Sequence, residues 1–231
     1  MDLIVQLNNQ TAGRDKIIRL LQYCARAGWY YSRSNASHSS DILKSLEYTF
    51  SSFRKLLHFG RCLDSLYGVL NVMQHPDVAI RITMTLSRIT NALFLLADHI
   101  IWLGRAGVTR VNLEKWTSIS HRYWLLSILM NLTRDLYEIS IIFQKFNSSQ
   151  VSRFCSRSRY INFYDRKALA ILTSRRDLLL DTIRNSCDLF IPLSALGYTK
   201  LSPGTVGLLG VISSAVGIYC LAYPLFKLPA S

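Results

Sequence analysis

The chain has 231 residues, half of them hydrophobic, with a mean hydropathy of +0.19 and a net charge of +13. A soluble domain with that charge is ordinarily more polar, so the combination argues against one and for a chain that sits in and on anionic lipid. The bases are spread along the whole length, without a zinc finger, a Gly-rich RNA motif or a compact basic patch, which speaks against nucleic acid as the partner.

The first nine residues are too short for a signal peptide and lead into a charged amphipathic stretch. Membrane insertion is therefore expected to use internal signals after synthesis. Ile17, Leu21, Cys24, Gly28 and Tyr31 recur at three- and four-residue steps and predict a first helix over 14–31. Asp15, Arg19, Gln22 and Arg26 fall on its other faces. A polar stretch, 32–40, separates it from the next helix.

The second predicted helix covers 41–73. Leu43, Leu46, Phe50, Phe53 and Leu57 form one apolar stripe, with Lys44, Glu47, Arg54, Lys55 and His58 away from it. After Gly60, read as a bend, the stripe shifts to Leu56, Phe59, Leu63, Leu66 and Leu70. An apolar face beside Arg54, Lys55 and Arg61 is the design of an interfacial helix, apolar side chains in the acyl boundary and bases on lipid phosphates. Inserted in one leaflet, such a wedge expands that leaflet and favours curvature. Periodicity alone favours the other reading, in which the stripe packs inside a helical bundle.

Pro76 marks a break, and 82–104 is predicted as a helix interrupted by Arg88, Asp98 and His99. It crosses a membrane only if Asp98 and His99 face protein or water; otherwise it is interfacial or half inserted. Such a pair lines a pore or, more ordinarily, forms a satisfied interior pair. A helix over 113–146 follows, whose charges, including the i,i+4 pair Arg134 and Glu138, argue against crossing. Residues 147–159 read as a basic loop and 166–190 as helix, with Pro192 and Gly197 leading onward.

From Leu201 to Phe226 there is no charged residue. The twenty residues from Gly204 to Tyr223 cover about 30 Å as a helix, enough for a hydrocarbon core. Lys200 and Lys227 are placed to snorkel at the two boundaries. Gly204, Gly207, Gly210, Ser214 and Gly217 make a small-residue face that predicts self-association by close backbone approach.

The five cysteines form no CxxC pair, which suits reduced thiols facing the cytosol. The histidines show no metal-ligand spacing, and there is no GxSxG, P-loop or GxGxxG. No enzyme, metal or cofactor is expected. The fold expected is all-α: a membrane-associated helical protein with a cytosolic amphipathic region (1–81), a crossing or half-inserted helix (82–104), a helical region (105–200) and a C-terminal transmembrane helix (201–226).

Several segments give the chain a specific resemblance. They are 9–15 (NQTAGRD), 53–60 (FRKLLHFG), 114–116 (EKW), 134–138 (RDLYE), 184–193 (RNSCDLFIPL) and 203–208 (PGTVGL). In this order the chain resembles the peroxisomal membrane protein 11 (peroxin-11) family over nearly its whole length. Its opening looks closest to the vertebrate alpha type, and the long Gly-rich insertion of the beta type is absent. The resemblance implies a non-enzymatic peroxisomal membrane protein that elongates and helps divide peroxisomes. It places a membrane-remodelling amphipathic helix on 46–70. It implies self-association, contact with the fission machinery and delivery by the peroxisomal membrane-protein import receptor. Cytosolic placement of both termini in the family implies a second crossing at 82–104. His58 stands where many relatives are expected to carry Arg, which predicts weaker contact with anionic lipid at neutral pH. Two alternatives remain beside membrane remodelling: a solute channel of the peroxisomal membrane lined by Asp98 and His99, and a scaffold whose helices bind only proteins.

Overall fold

The structure is a computed structural model that describes residues 7–32, 37–151 and 175–222. Among the described residues there is no strand, and seven helices exceed ten residues: α1 (Thr11–Tyr31), α2 (Ser37–Leu57), α3 (Arg61–Val72), α4 (Val78–Arg105), α5 (Leu113–Val151), α6 (Arg176–Ala195) and α7 (Pro203–Ala222). The all-α expectation holds.

The breaks have local causes. The expected bend at Gly60 is a full interruption between α2 and α3. Gly60 adopts φ +80°, a left-handed conformation that a residue without a Cβ takes at little cost. Asp77, just after Pro76, caps α4 by accepting from the backbone N–H of Ala79 at 2.8 Å and of Ile80 at 3.3 Å. Asn112 caps α5 through the N–H of Lys115 at 3.0 Å. At α7, Ser202 accepts from the N–H of Thr205, and Pro203 takes the first helical position, where its missing N–H costs nothing.

Two boundaries differ from the sequence reading. The first part of the expected basic loop, 147–151, continues α5, and 152–174 lies outside the described residues. Pro192 does not end α6, which runs on to Ala195 and reverses at Gly197, φ +81°. A proline here removes a single intrahelical bond close to the helix end.

The packing order is α1 on α2, α2 on α4, α4 on α5, α5 on α6, α6 on α7, and α7 back on α1. Six helices thus close a ring, with α3 outside it on α4. Buried apolar side chains such as Leu95, Ile101, Ile128 and Leu178 are spread along the helices, and one packed cluster joins Tyr23, Ile191 and Val206, backed by Trp124, Leu201 and Val211. Much of the apolar surface faces out instead. On α4, Ile82, Leu86, Ile89, Leu93 and Leu96 recur along one exposed face. On α7 the exposed residues include Leu208, Ile212 and Tyr219. Both helices are long and apolar enough to cross a membrane. An apolar exterior around a polar interior is the arrangement that hydrocarbon surroundings favour.

Candidate functional site

The interior is built from polar stripes that each helix turns inward. On α1, Asp15, Arg19, Gln22 and Arg26 lie at helical spacing, and the first three are buried. On α2, Glu47, Arg54 and Lys55 do the same, and His58 follows directly after its last turn. Together with α4, α5 and α6 these stripes line a cavity of about 710 Å³. Lys16, Arg19, Arg26, Arg54, Lys55, Arg61, Arg105 and Arg184 face it, against only four acids, Asp15, Glu47, Asp98 and Asp188.

Two carboxylates gather most of the bases. Asp15 accepts from Arg54 Nε at 3.0 Å and Arg61 Nη1 at 3.1 Å, and lies 3.3 Å from His58 Nε2. Asp98 pairs with Lys55, lies 3.1 Å from His58 Nδ1, and accepts from Ser120 Oγ at 3.1 Å. His58 therefore bridges α1 and α4. Elsewhere Arg19 pairs with Asp188, while Glu47 accepts from Arg26 Nε at 2.6 Å and Trp29 Nε1 at 2.7 Å. A second buried network joins α5 to α6, where Asp135 accepts from Arg134 and from Asn185 Nδ2 at 3.0 Å.

Burial pushes the Asp15 carboxyl up, but Arg54 and His58 hold it well below the ordinary carboxylate range. The Asp188 carboxyl is likewise lowered, burial being outweighed by Arg19. Lys16 has no such partner. Burial, reinforced by Arg19 and Arg184, depresses its ammonium to about 7. Burial also lowers Lys55, in spite of Asp98, and the imidazole of His121.

The outer face of α2 and α3 is apolar. Of the first predicted stripe, Leu46 and Phe53 are exposed, whereas Leu43, Phe50 and Leu57 are partly covered by neighbouring helices. The second stripe is the more open one: Leu56, Phe59, Leu63, Leu66 and Leu70 are all exposed, Phe59 at 71% and Leu63 at 67%.

Three readings are corrected by this geometry. Arg54, Lys55 and Arg61 do not point out toward lipid phosphates; they turn to Asp15 and Asp98, because a carboxylate inside the ring offers each a charge-assisted bond. His58, buried at 4%, faces those same carboxylates rather than lipid. Asp98 and His99 diverge instead of acting as a pair: Asp98 enters the cavity, and the His99 ring packs on Phe59 with centroids 5.2 Å apart.

The small-residue face of α7 is also occupied. Gly204, Gly207, Gly210, Ser214 and Gly217 are all buried. A Cβ on Gly204 would strike Tyr30, one on Gly207 the backbone of Ala27, and one on Gly210 the Tyr23 ring, while Gly217 lies over Lys16. The two helices run antiparallel along α7, so the face expected to receive a second copy receives α1 of the same chain.

Asp15, Gln22, Asp188 and Asn185 were not singled out from sequence as interior residues. The signal available was the i, i+4, i+7, i+11 spacing of Asp15, Arg19, Gln22 and Arg26, a polar stripe as regular as the apolar one.

Compared with known proteins, residues 1–222 match the family model described as peroxisomal biogenesis factor 11 (PEX11). Peroxisomal membrane protein 11B of Homo sapiens is 33% identical over 262 residues, covering 99% of each chain. Peroxisomal membrane protein 11A of Homo sapiens is 30% identical over 244 residues, again covering 99% of each. A peroxisomal membrane protein 11 homolog of Dictyostelium discoideum is 24% identical, covering 95% of this chain and 93% of the relative. Overall identity to the human proteins thus does not favour the alpha type suggested by the opening. No solved structure matches.

Proposed function

This chain belongs to the peroxisomal biogenesis factor 11 family, and from that premise we propose that it remodels the peroxisomal membrane, promoting elongation, proliferation and fission. The observation that carries this reading is the exposed apolar face running from Leu46 and Phe53 through Leu56, Phe59, Leu63, Leu66 and Leu70. Burying such a face in one leaflet removes it from water at about 25 cal/mol per Å² and expands that leaflet. The contribution of α2 and α3 is their apolar side; their bases serve the interior.

In this reading α4 and α7 are the two crossings of a multi-pass peroxisomal membrane protein, with both termini in the cytosol. Self-association uses a surface other than the glycine face of α7. The fission machinery and the membrane-protein import receptor are the partners that family membership suggests.

The test is imaging of peroxisomes in cells expressing the full chain or its Phe53→Asp variant. Elongated or multiplied peroxisomes with the parent, and unchanged ones with a correctly targeted variant, support the reading. Equal elongation by both overturns it.

A solute channel is the second reading, and the closed six-helix ring around a polar cavity is what favours it. Asp98→Asn keeps the shape of the side chain while removing its charge. Conductance in a planar bilayer that this change leaves unaltered counts against a pore through the ring.

A further inference from the structure

We infer that the cavity inside the six-helix ring is a binding site for a polyvalent phosphate anion, held by Lys16, Arg19, Arg105 and Arg184. This inference stands apart from the remodelling reading, which concerns the outer face.

The first observation is charge. Eight bases line the cavity against four acids, and Arg184 is balanced by Asp181 beside the lining, which leaves an excess of three positive charges. The acids are already engaged: Asp15 by Arg54 and Arg61, Asp98 by Lys55, Glu47 by Arg26 and Asp188 by Arg19. Among the described residues neither Lys16 nor Arg105 makes an ion pair. Arg105 donates only to Ser52 Oγ, at 2.9 Å, and its guanidinium lies over the Tyr48 ring. Unbalanced charge that is partly withdrawn from water carries a cost that a counter-charge joining it relieves.

The second observation is an unmet donor. Arg19 is 5% exposed and bonds Asp188 through Nη2, yet its Nε, also buried, has no hydrogen-bond partner. A charged N–H left without an acceptor is among the costlier states in a folded protein. Arg19 and Arg184 both act on the Lys16 ammonium. Arg19 is paired with Asp188 and Arg184 with Asp181 at 3.1 Å, so Lys16 is, among the described residues, the cation of this group without a bonded counter-charge.

The third is room and chemistry. At about 710 Å³ the cavity exceeds the needs of a few waters, each taking roughly 30 Å³. A phosphate offers several acceptor oxygens and more than one negative charge, matching a guanidinium fork and a lysine point charge together. An excess of three favours a diphosphate-type group over a single carboxylate. Such a group comes either from a soluble phosphate ester or from a lipid head group carrying a phosphomonoester.

The experiment uses the full chain in nanodiscs of phosphatidylcholine, titrated with inorganic pyrophosphate at fixed ionic strength, with affinity read by calorimetry and by the shift in unfolding temperature. Saturable binding is expected, weakened about tenfold or more in Lys16→Gln and in Arg105→Gln. Neither residue supports an ion pair, so both variants should keep their helical circular dichroism. Phe53→Asp should bind as the parent does. A parallel arm replaces part of the lipid with phosphatidic acid and omits pyrophosphate. Pyrophosphate binding in phosphatidylcholine discs identifies a free anion as ligand. Stabilisation by phosphatidic acid alone, lost in Lys16→Gln, identifies a head group. No saturable response in either arm, or a response that both variants retain in full, overturns the inference.

Discussion

Arg54 of α2 donates from Nε to Oδ1 of Asp15 on α1 at 3.0 Å, across thirty-nine residues of sequence. The same carboxylate accepts from Arg61 of α3 and faces His58, so one buried acid orients three bases from the segment that follows α1. The amphipathic character of α2 and α3 is therefore satisfied twice, polar side inward and apolar side outward.

Asp15→Asn removes the charge that Arg54, Arg61 and His58 share. Leaving a buried base unpaired typically costs about 3–5 kcal/mol. The variant is expected to unfold at clearly lower temperature or denaturant concentration in detergent micelles. If its stability matches the parent's, the interior network contributes nothing measurable.

Leu63→Asp places a charge on one of the most open apolar positions of α3. The side chain has little inside the ring to lose, so helical content should not change. Transfer of a carboxylate into hydrocarbon costs roughly 2.5–3.5 kcal/mol by insertion scales. With α4 and α7 holding the full chain in the bilayer, the readout is local: quenching of a fluorophore placed beside residue 63 by spin-labelled lipid should fall clearly in the variant relative to the parent. Equal quenching in both would show that this face does not enter lipid.

Gly207→Leu tests what the small face of α7 is for. A Cβ there would lie 2.8 Å from the backbone N of Ala27, a rigid neighbour. Overpacking of this kind costs typically 1–3 kcal/mol. The chain should lose stability, with α1 prised from α7, and crosslinking between copies should not fall selectively. A stable variant that has lost only its crosslinked species would restore the self-association role of this face.

Lys16 gives a pH dependence. Its ammonium is depressed to about 7 in the folded chain, against about 10.4 unfolded. Between those values the unfolded chain binds the extra proton, so stability rises as pH goes from about 7 toward 10. Below pH 7 the buried charge persists and the penalty is greatest. Lys16→Gln should flatten this rise and exceed the parent in stability at pH 6. Thermal scans across pH 6–10 check the slope; a parent curve as flat as the variant's removes the effect.

Most helices were legible in the sequence, though not every boundary: Gly60 interrupts the helix it was expected only to bend, and α6 runs on through Pro192. Pro76, Gly60 and Gly197 punctuate the chain for local reasons, and the uncharged run in α7 announces itself by length. The exposed second stripe of α3 could be read residue by residue, since periodicity reports which side chains share a face.

What periodicity does not report is the medium each face meets. The spacing that sets Leu46 and Phe53 apart from Arg54 and Lys55 fits apolar-in and apolar-out packing equally well, because a helix has the same two faces in either surroundings. Only the tertiary structure decided it, by bringing Asp15 and Asp98 within bonding distance of bases some forty residues away. A stripe of glycines likewise fixes that some backbone approaches α7 closely, but not whose. The ring closure that puts α1 there turns an expected contact between copies into a contact within one chain, and it gathers around one cavity more positive charge than the neighbouring carboxylates balance.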